Sequence, residues 1–195
     1  RPSVRAAYLK STEEIGASIT AVYDKLSRIE TEISEALVRE SAARLASVID
    51  EMPGGRRSPL LPGYRTKILD GNCLAASEHR IFELRSIASG PLPGKSLVVL
   101  DPERMLAIDV FACEDGHAQE RSLLDRVVET VAAKDLWIAD RNFCTAGFLR
   151  AIDRRGGCFV IRHHRGLMYE TCGAWKEFGP SETGHVMERT VKFVD

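Results

Sequence analysis

The sequence has 195 residues, of which 44% are hydrophobic and 28% charged, and its formal net charge is -1. These values are ordinary for a globular protein with one sizeable core, not for a disordered chain. The net charge gives no global sign of nucleic-acid binding, so any such signal must come from where the charges lie. No apolar run approaches the roughly 18 to 20 residues that span a bilayer, and no signal peptide is visible. The five cysteines have no regular spacing. We therefore expect no disulfide framework and a reducing, cytoplasmic location.

The first part of the chain has a helical pattern. Apolar residues recur at helical spacing between Ser11 and Met52, and Ser11 and Glu14 have the spacing of a capping box. The run Pro53-Gly54-Gly55 ends the pattern, because proline cannot continue a helical hydrogen-bond ladder. The sequence predicts a helical N-terminal region over residues 1–55. Because its acidic and basic residues are balanced, we expect this region to be a packing module or an arm.

Residues 56–165 alternate between strand and helix patterns. The alternation from Tyr64 to Asp70 predicts a strand that ends in an Asp-Gly-Asn turn. The further predicted elements are a helix at 78–86, a hairpin of strands at 96–100 and 105–111, a helix at 117–132, a strand at 136–140, a helix at 145–154 and a strand at 158–162. This order predicts an α/β fold. Glycines after Gly166 separate short predicted strands up to residue 195.

Two predicted strands end in an aspartate followed by polar turn residues, Asp70 and Asp140. Groups at the carboxyl ends of strands in such sheets meet at one edge, where the two carboxylates would repel each other unless a cation lies between them. Hard oxygen ligands suit Mg²⁺ or Mn²⁺, and a pair of such ions supports phosphoryl transfer. The alternative is that each aspartate only closes a turn or caps a helix. The occurrence of both aspartates at strand ends in this strand order favours the metal-site interpretation.

These residues also carry a family resemblance. The segment Tyr64–Arg80 resembles the first-aspartate block of the insertion sequence 4 family of DDE transposases, and Asp135–Cys144 resembles its second-aspartate block. Phe159–Arg162 is similar to the strand that follows the second aspartate, and Glu114–Glu120 is similar to an intervening segment of the family. The resemblance covers Tyr64–Arg165, and the two aspartate blocks are its most specific part.

The resemblance implies a ribonuclease-H-like mixed sheet flanked by helices, with a catalytic triad of two aspartates and one glutamate. Asp70 matches the first acid and Asp140 the second. The family's glutamate lies on a late helix in a Tyr, two residues, Arg, three residues, Glu pattern. Tyr169 has Cys172 in place of that arginine. We therefore expect residues 166–195 to begin a β-rich insertion, the third acid to lie beyond Asp195, and this fragment to be nearly inactive alone.

The function that the resemblance implies is DNA transposition. Mg²⁺ or Mn²⁺ held by Asp70 and Asp140 would support strand hydrolysis at a transposon end and attack of the freed 3′-hydroxyl on target DNA. The partners would be double-stranded DNA and a second subunit in the paired-end complex. Two alternatives stay open: a ribonuclease-H-like nuclease without strand transfer, and a catalytically dead remnant that binds DNA.

A cluster of basic residues follows Asp140 and could contact DNA phosphates. Its arginines are Arg141, Arg150, Arg154, Arg155, Arg162 and Arg165. The alternative is a solvated helix face balanced by acids elsewhere. The same region contains four residues of types that bind zinc, Cys158, His163, His164 and Cys172. They lack the paired spacing of a zinc knuckle, so the zinc interpretation is the weaker one.

Five single residues have specific predictions. Trp137 is expected in the core, and Asp101 is expected to form a turn before Pro102. Asp109 is a strand acid that could approach the metal site, and His117 is expected at a helix start. Trp175 could stack on a base or pack inside a small β unit.

Overall fold

The computed structural model of the protein describes residues 3–26, 28–74, 94–113 and 118–194. The helices in these ranges are α1 Val4–Lys10, α2 Thr12–Ile15, α3 Ile19–Leu26, α4 Thr31–Glu51, α5 Leu124–Glu129 and α6 Ala146–Arg154, with 3₁₀ turns at Glu120–Leu123 and Arg141–Phe143. The strands are β1 Arg65–Leu74, β2 Gly94–Asp101, β3 Leu106–Cys113, β4 Asp135–Ala139, β5 Cys158–Ile161, β6 Tyr169–Ser181 and β7 Gly184–Phe193. None of the helices in the described part is long and apolar enough to cross a membrane.

The central feature is a mixed sheet of five strands in the order β3-β2-β1-β4-β5. Strand β2 is antiparallel to both β1 and β3, whereas β4 is parallel to both β1 and β5. The prediction of an α/β protein is confirmed, and this sheet with its flanking helices is compatible with a ribonuclease-H-like fold. Strands β6 and β7 form a separate antiparallel hairpin, longer than the short strands that the sequence predicted.

One face of the sheet carries the core. Alternate residues of a strand point to the same face, which brings Leu69 of β1, Leu97 of β2 and Trp137 of β4 together. Helices α5 and α6 cover them with Val127 and Ile152, both fully buried. Trp137 is also fully buried, so its predicted place in the core is confirmed.

Helix α4 packs on the edge strand β3 through polar groups. Glu35 Oε1 accepts a hydrogen bond from the Ala112 backbone N–H at 2.7 Å, and Glu35 Oε2 accepts one from Arg126 Nη2 at 2.5 Å. One turn along the helix, Arg39 Nη1 donates to Asp109 Oδ1 at 3.0 Å. These contacts occupy a backbone donor of an edge strand, a position that otherwise invites pairing with another chain.

Arg104 ties the end of α4 to the turn between β2 and β3. Its guanidinium donates to both carboxylate oxygens of Asp50, at 3.0 and 2.6 Å, and to Asp101 Oδ2 at 2.7 Å. The hydrogen bond from Arg104 lowers the pKa of Asp50 below its ordinary value. Asp101 Oδ1 accepts from the backbone N–H groups of Glu103 and Arg104, which confirms its predicted role in the turn.

The helical region predicted between Ser11 and Met52 is divided into separate helices. Gly16 adopts a left-handed conformation with φ of 61° and ends α2, and a second break separates α3 from α4. The predicted capping box is wrong, because the Ser11 side chain makes no cap hydrogen bond. Ser11 instead lies in the break between α1 and α2, where its N–H donates to the Tyr8 carbonyl.

The predicted helix at 117–132 is shorter than expected. It begins with the 3₁₀ turn at Glu120–Leu123, and α5 ends at Glu129. The Thr130 hydroxyl donates to the Val127 carbonyl at the helix end, a local bond that threonine makes readily. The predicted helix at 78–86 and the position of His117 lie outside the described residues.

Candidate active site

Asp70 lies inside β1. The predicted turn at Asp70-Gly71-Asn72 is wrong, because β1 continues to Leu74 and Asp70 pairs with Val98 of β2. The pairing of β1 with β4 is shorter and ends at Leu69 and Ala139. Asp70 is therefore the first residue of β1 beyond the end of β4.

Asp140 occupies the matching place on β4. It directly follows Ala139, the partner of Leu69, and its backbone stays extended with φ of -77° and ψ of 173°. Because side chains alternate across a sheet and neighbouring strands lie about 4.8 Å apart, Asp70 and Asp140 lie side by side on one face. This face is opposite to the one that carries Leu69 and Trp137. Both aspartates are exposed.

Each aspartate uses one oxygen to accept a hydrogen bond from the chain that follows it. Asp70 Oδ1 accepts from the Gly71 N–H at 2.9 Å, and Asp140 Oδ1 accepts from the Asn142 N–H at 2.7 Å. Hydrogen bonds of this kind restrict the rotation of the carboxylate. The two negative groups are thus positioned by their own backbones.

A third carboxylate, Glu120, lies beside the residues that follow both aspartates. Its Oε2 accepts from Asn142 Nδ2 at 2.7 Å, and its Oε1 lies 2.5 Å from the point where a Cβ on Gly71 would stand. Arg121 Nε donates to the Asn142 carbonyl at 2.6 Å. These side chains border an open polar depression of about 430 Å³ that is lined by Lys95, Gln119, Glu120, Arg121 and Asn142.

Glu120 was not among the candidate site residues predicted from the sequence. In the sequence, Glu120 is marked by its place at the end of the family-like segment Glu114–Glu120. Its contacts with Gly71 and Asn142 join distant parts of the chain, so they could not be read from the local sequence.

The donor set of Asp70 and Asp140 fits a hard divalent cation. Mg²⁺ commonly takes one or two carboxylates and fills its other positions with water and phosphate oxygens. Among the residues that the structure describes, no three His, Cys, Asp or Glu side chains are grouped closely enough to hold a metal. Asp70 and Asp140 could thus hold such an ion with two carboxylates, with water in its other positions.

The alternative zinc cluster does not form. The four candidate residues all lie in the described part of the chain, which contains no metal-holding group of three. The His163 ring instead packs edge-on against Tyr169 at a centroid distance of 5.3 Å, and His164 Nδ1 accepts from the Gly166 N–H. The approach of Asp109 to the metal site is also wrong, because Asp109 lies on β3 and binds Arg39 of α4.

The six arginines of the predicted DNA-binding cluster lie in different places. Arg162 follows Ile161, the β5 partner of Ala139, so it is in line with Asp140 across the sheet. Arg141 directly follows Asp140, and Arg165 lies in the turn after β5. Arg150 lies within α6. Arg154 and Arg155 lie at the end of α6 that leads into the start of β5, at the opposite end of the strands from the aspartates.

Trp175 lies on β6 with 57% of its surface exposed. The Arg189 guanidinium stacks on its ring at 4.6 Å. The alternative in which Trp175 is packed inside a β unit is therefore wrong.

No protein-family model matches the chain, and no curated protein matches it. Among solved structures, the chain is similar to piggyBac transposase in its synaptic complex with hairpin DNA, with 12% sequence identity and a TM-score of 0.34. The similarity covers 65% of this chain and 33% of that chain, so this chain spans about a third of that protein's length. The resemblance to the insertion sequence 4 family stays a prediction from the sequence.

Proposed function

We propose that the chain is part of the catalytic core of a DNA transposase with a ribonuclease-H-like fold. In this proposal residues 56–165 form the core, residues 1–55 form a helical N-terminal region, and residues 166–195 begin a β-rich insertion. The reaction is metal-dependent cleavage of double-stranded DNA at transposon ends followed by strand transfer, in a complex that pairs two ends through a dimer.

The observation that supports this proposal best is the placement of Asp70 and Asp140. They occupy matching positions on adjacent parallel strands and face the same side of the sheet. Two carboxylates side by side on one face of a sheet repel each other, and a divalent cation between them removes the repulsion. The strand order β3-β2-β1-β4-β5 places this pair on the central strand β1 and on β4 beside it.

In the proposed mechanism Asp70 and Asp140 hold Mg²⁺ or Mn²⁺ through carboxylate oxygens. Such ions, when bound, help to deprotonate a water or a 3′-hydroxyl and stabilise the leaving oxygen of the phosphodiester. The backbone N–H groups of Gly71 and Asn142 hold the two carboxylates in their orientation. Arg141 and Arg162 flank Asp140 and would bind the phosphates next to the bond that is cut.

The test is a titration of the chain with Mn²⁺, with free Mn²⁺ measured by electron paramagnetic resonance. Weak binding is expected, because two carboxylates provide few protein ligands, and either Asp70→Ala or Asp140→Ala should abolish it. Asp153→Ala is the matched control, since Asp153 is an exposed aspartate on α6. Unchanged binding in both site variants would refute the proposed metal site.

A second assay separates transposase from nuclease. A longer protein that includes the expected third acid is incubated with labelled transposon-end DNA and a target plasmid. Joined products support strand transfer, and cleavage without joining supports the nuclease alternative. The chain of 195 residues alone is expected to cleave at or near background, because the family's pattern of Tyr, two residues, Arg, three residues, Glu does not occur in these residues.

A further inference from the structure

Glu120 contacts the neighbours of both candidate metal ligands. Gly71, which donates to Asp70, has no side chain, and the Glu120 carboxylate occupies the space above it. Asn142, which donates to Asp140, gives its side-chain amide to the same carboxylate. One side chain thus contacts both backbone segments whose N–H groups orient the aspartates.

We propose that Glu120 is a positioning residue that sets the separation and orientation of Asp70 and Asp140 for metal binding. This inference rests on the proposed function of the two aspartates. Glu120 lies over the face of β1 that carries Gly71, whereas Asp70 points to the other face, so Glu120 acts through its neighbours and is not itself a metal ligand.

The hydrogen bond to Asn142 gives the physical basis. Asp140 is held by the Asn142 N–H, and Asn142 is held at its side chain by Glu120 and at its carbonyl by Arg121. Without Glu120 the Arg141–Phe143 turn retains fewer tertiary bonds, so the Asp140 carboxylate samples more orientations. Partners that orient metal ligands in this way commonly change metal affinity by about 10- to 100-fold.

Gly71 provides a way to move Glu120 without removing its charge. Gly71 does not have a left-handed φ, so the backbone there accepts alanine. The added Cβ would lie 2.5 Å from Glu120 Oε1 and 2.6 Å from its carboxyl carbon, which forces that carboxylate away. Gly71→Ala should therefore break the bond to Asn142 while the charge of Glu120 remains.

The experiment measures Mn²⁺ affinity for Glu120→Ala, Gly71→Ala, the double variant and Glu120→Gln, with thermal unfolding of each variant to confirm that it is folded. The two single alanine variants should each bind Mn²⁺ about tenfold more weakly. The double variant should show no further loss, because both changes remove the same contact. Glu120→Gln keeps an acceptor for Asn142 and should bind nearly as well as the unchanged chain.

Several results would overturn the inference. Equal losses in Glu120→Ala and Glu120→Gln would assign the effect to charge, and additive losses in the double variant would assign separate roles to Gly71 and Glu120. Unchanged affinity in Glu120→Ala, with binding still abolished by Asp70→Ala, would reject the positioning role and leave the proposed function intact. Glu129→Ala, an exposed glutamate on α5, is the control.

Discussion

Lys67 Nζ lies 2.8 Å from Asp135 Oδ2 and joins β1 to β4 near the end of the strands opposite to the candidate site. Asp135 is fully buried, and it also accepts from the Ala132 N–H at 2.8 Å. The same ammonium lies 4.9 Å from the centre of the Trp137 ring. A one-residue slip between parallel strands would move every side chain to the opposite face. This ion pair therefore helps to keep Asp70 and Asp140 aligned.

Replacing Asp135 should destabilise the sheet. Asp135→Ala leaves the Lys67 ammonium without its carboxylate and removes an acceptor from Ala132, and loss of one partner of a buried ion pair costs about 3 to 5 kcal/mol. Because Lys67 keeps some contact with water, a loss of about 3 kcal/mol is expected in urea unfolding followed by circular dichroism. The control Asp153→Ala, at an exposed position, should change the free energy by less than about 0.5 kcal/mol. Equal stability of the two variants would contradict this role for the pair.

Glu35 should protect the edge of the sheet as well as stabilise it. Glu35→Ala removes the acceptor of the Ala112 N–H and the partner of Arg126, which exposes an unpaired backbone donor on β3. A stability loss of about 3 kcal/mol and concentration-dependent association are expected, since bare strand edges pair with one another. Unfolding curves and light scattering measure the two effects.

The control for Glu35 lies on the same helix. Glu40 forms an exposed pair with Arg44, and Glu40→Ala should cost less than about 0.5 kcal/mol and leave the protein monodisperse. If Glu35→Ala behaves like Glu40→Ala, α4 is not needed to cover β3.

Local pattern was enough to predict much of the sheet. The continuous apolar runs at Leu97–Val99 and Leu136–Ile138 became β2 and β4, and the turn residue Asp101 closes the hairpin as expected. These elements depend on neighbouring residues and on the burial of apolar side chains, and both leave a pattern in the sequence.

Tertiary contacts decided the features that the sequence did not predict. The apolar spacing of α4 marks Ile33 and Leu37, yet both are exposed, because the helix turns Glu35 toward the donor on β3. Likewise β1 continues past Asp70 because β2 supplies antiparallel partners as far as Gly94. The contact of Glu120 with Asn142 depends on how the chain returns to the sheet, which no local pattern specifies.

Arg162 should contribute more to DNA binding than Arg155, although both are exposed arginines from the same predicted cluster. Arg162 is in line with Asp140 at the candidate site, whereas Arg155 lies beyond the far end of α6. Arg162→Ala should weaken binding to duplex DNA and reduce the slope of log affinity against log salt by about 1, the value expected for one lost phosphate contact. Arg155→Ala should leave both quantities near those of the unchanged chain. Fluorescence anisotropy at several salt concentrations measures them, and equal effects of the two substitutions would place the DNA away from the aspartates.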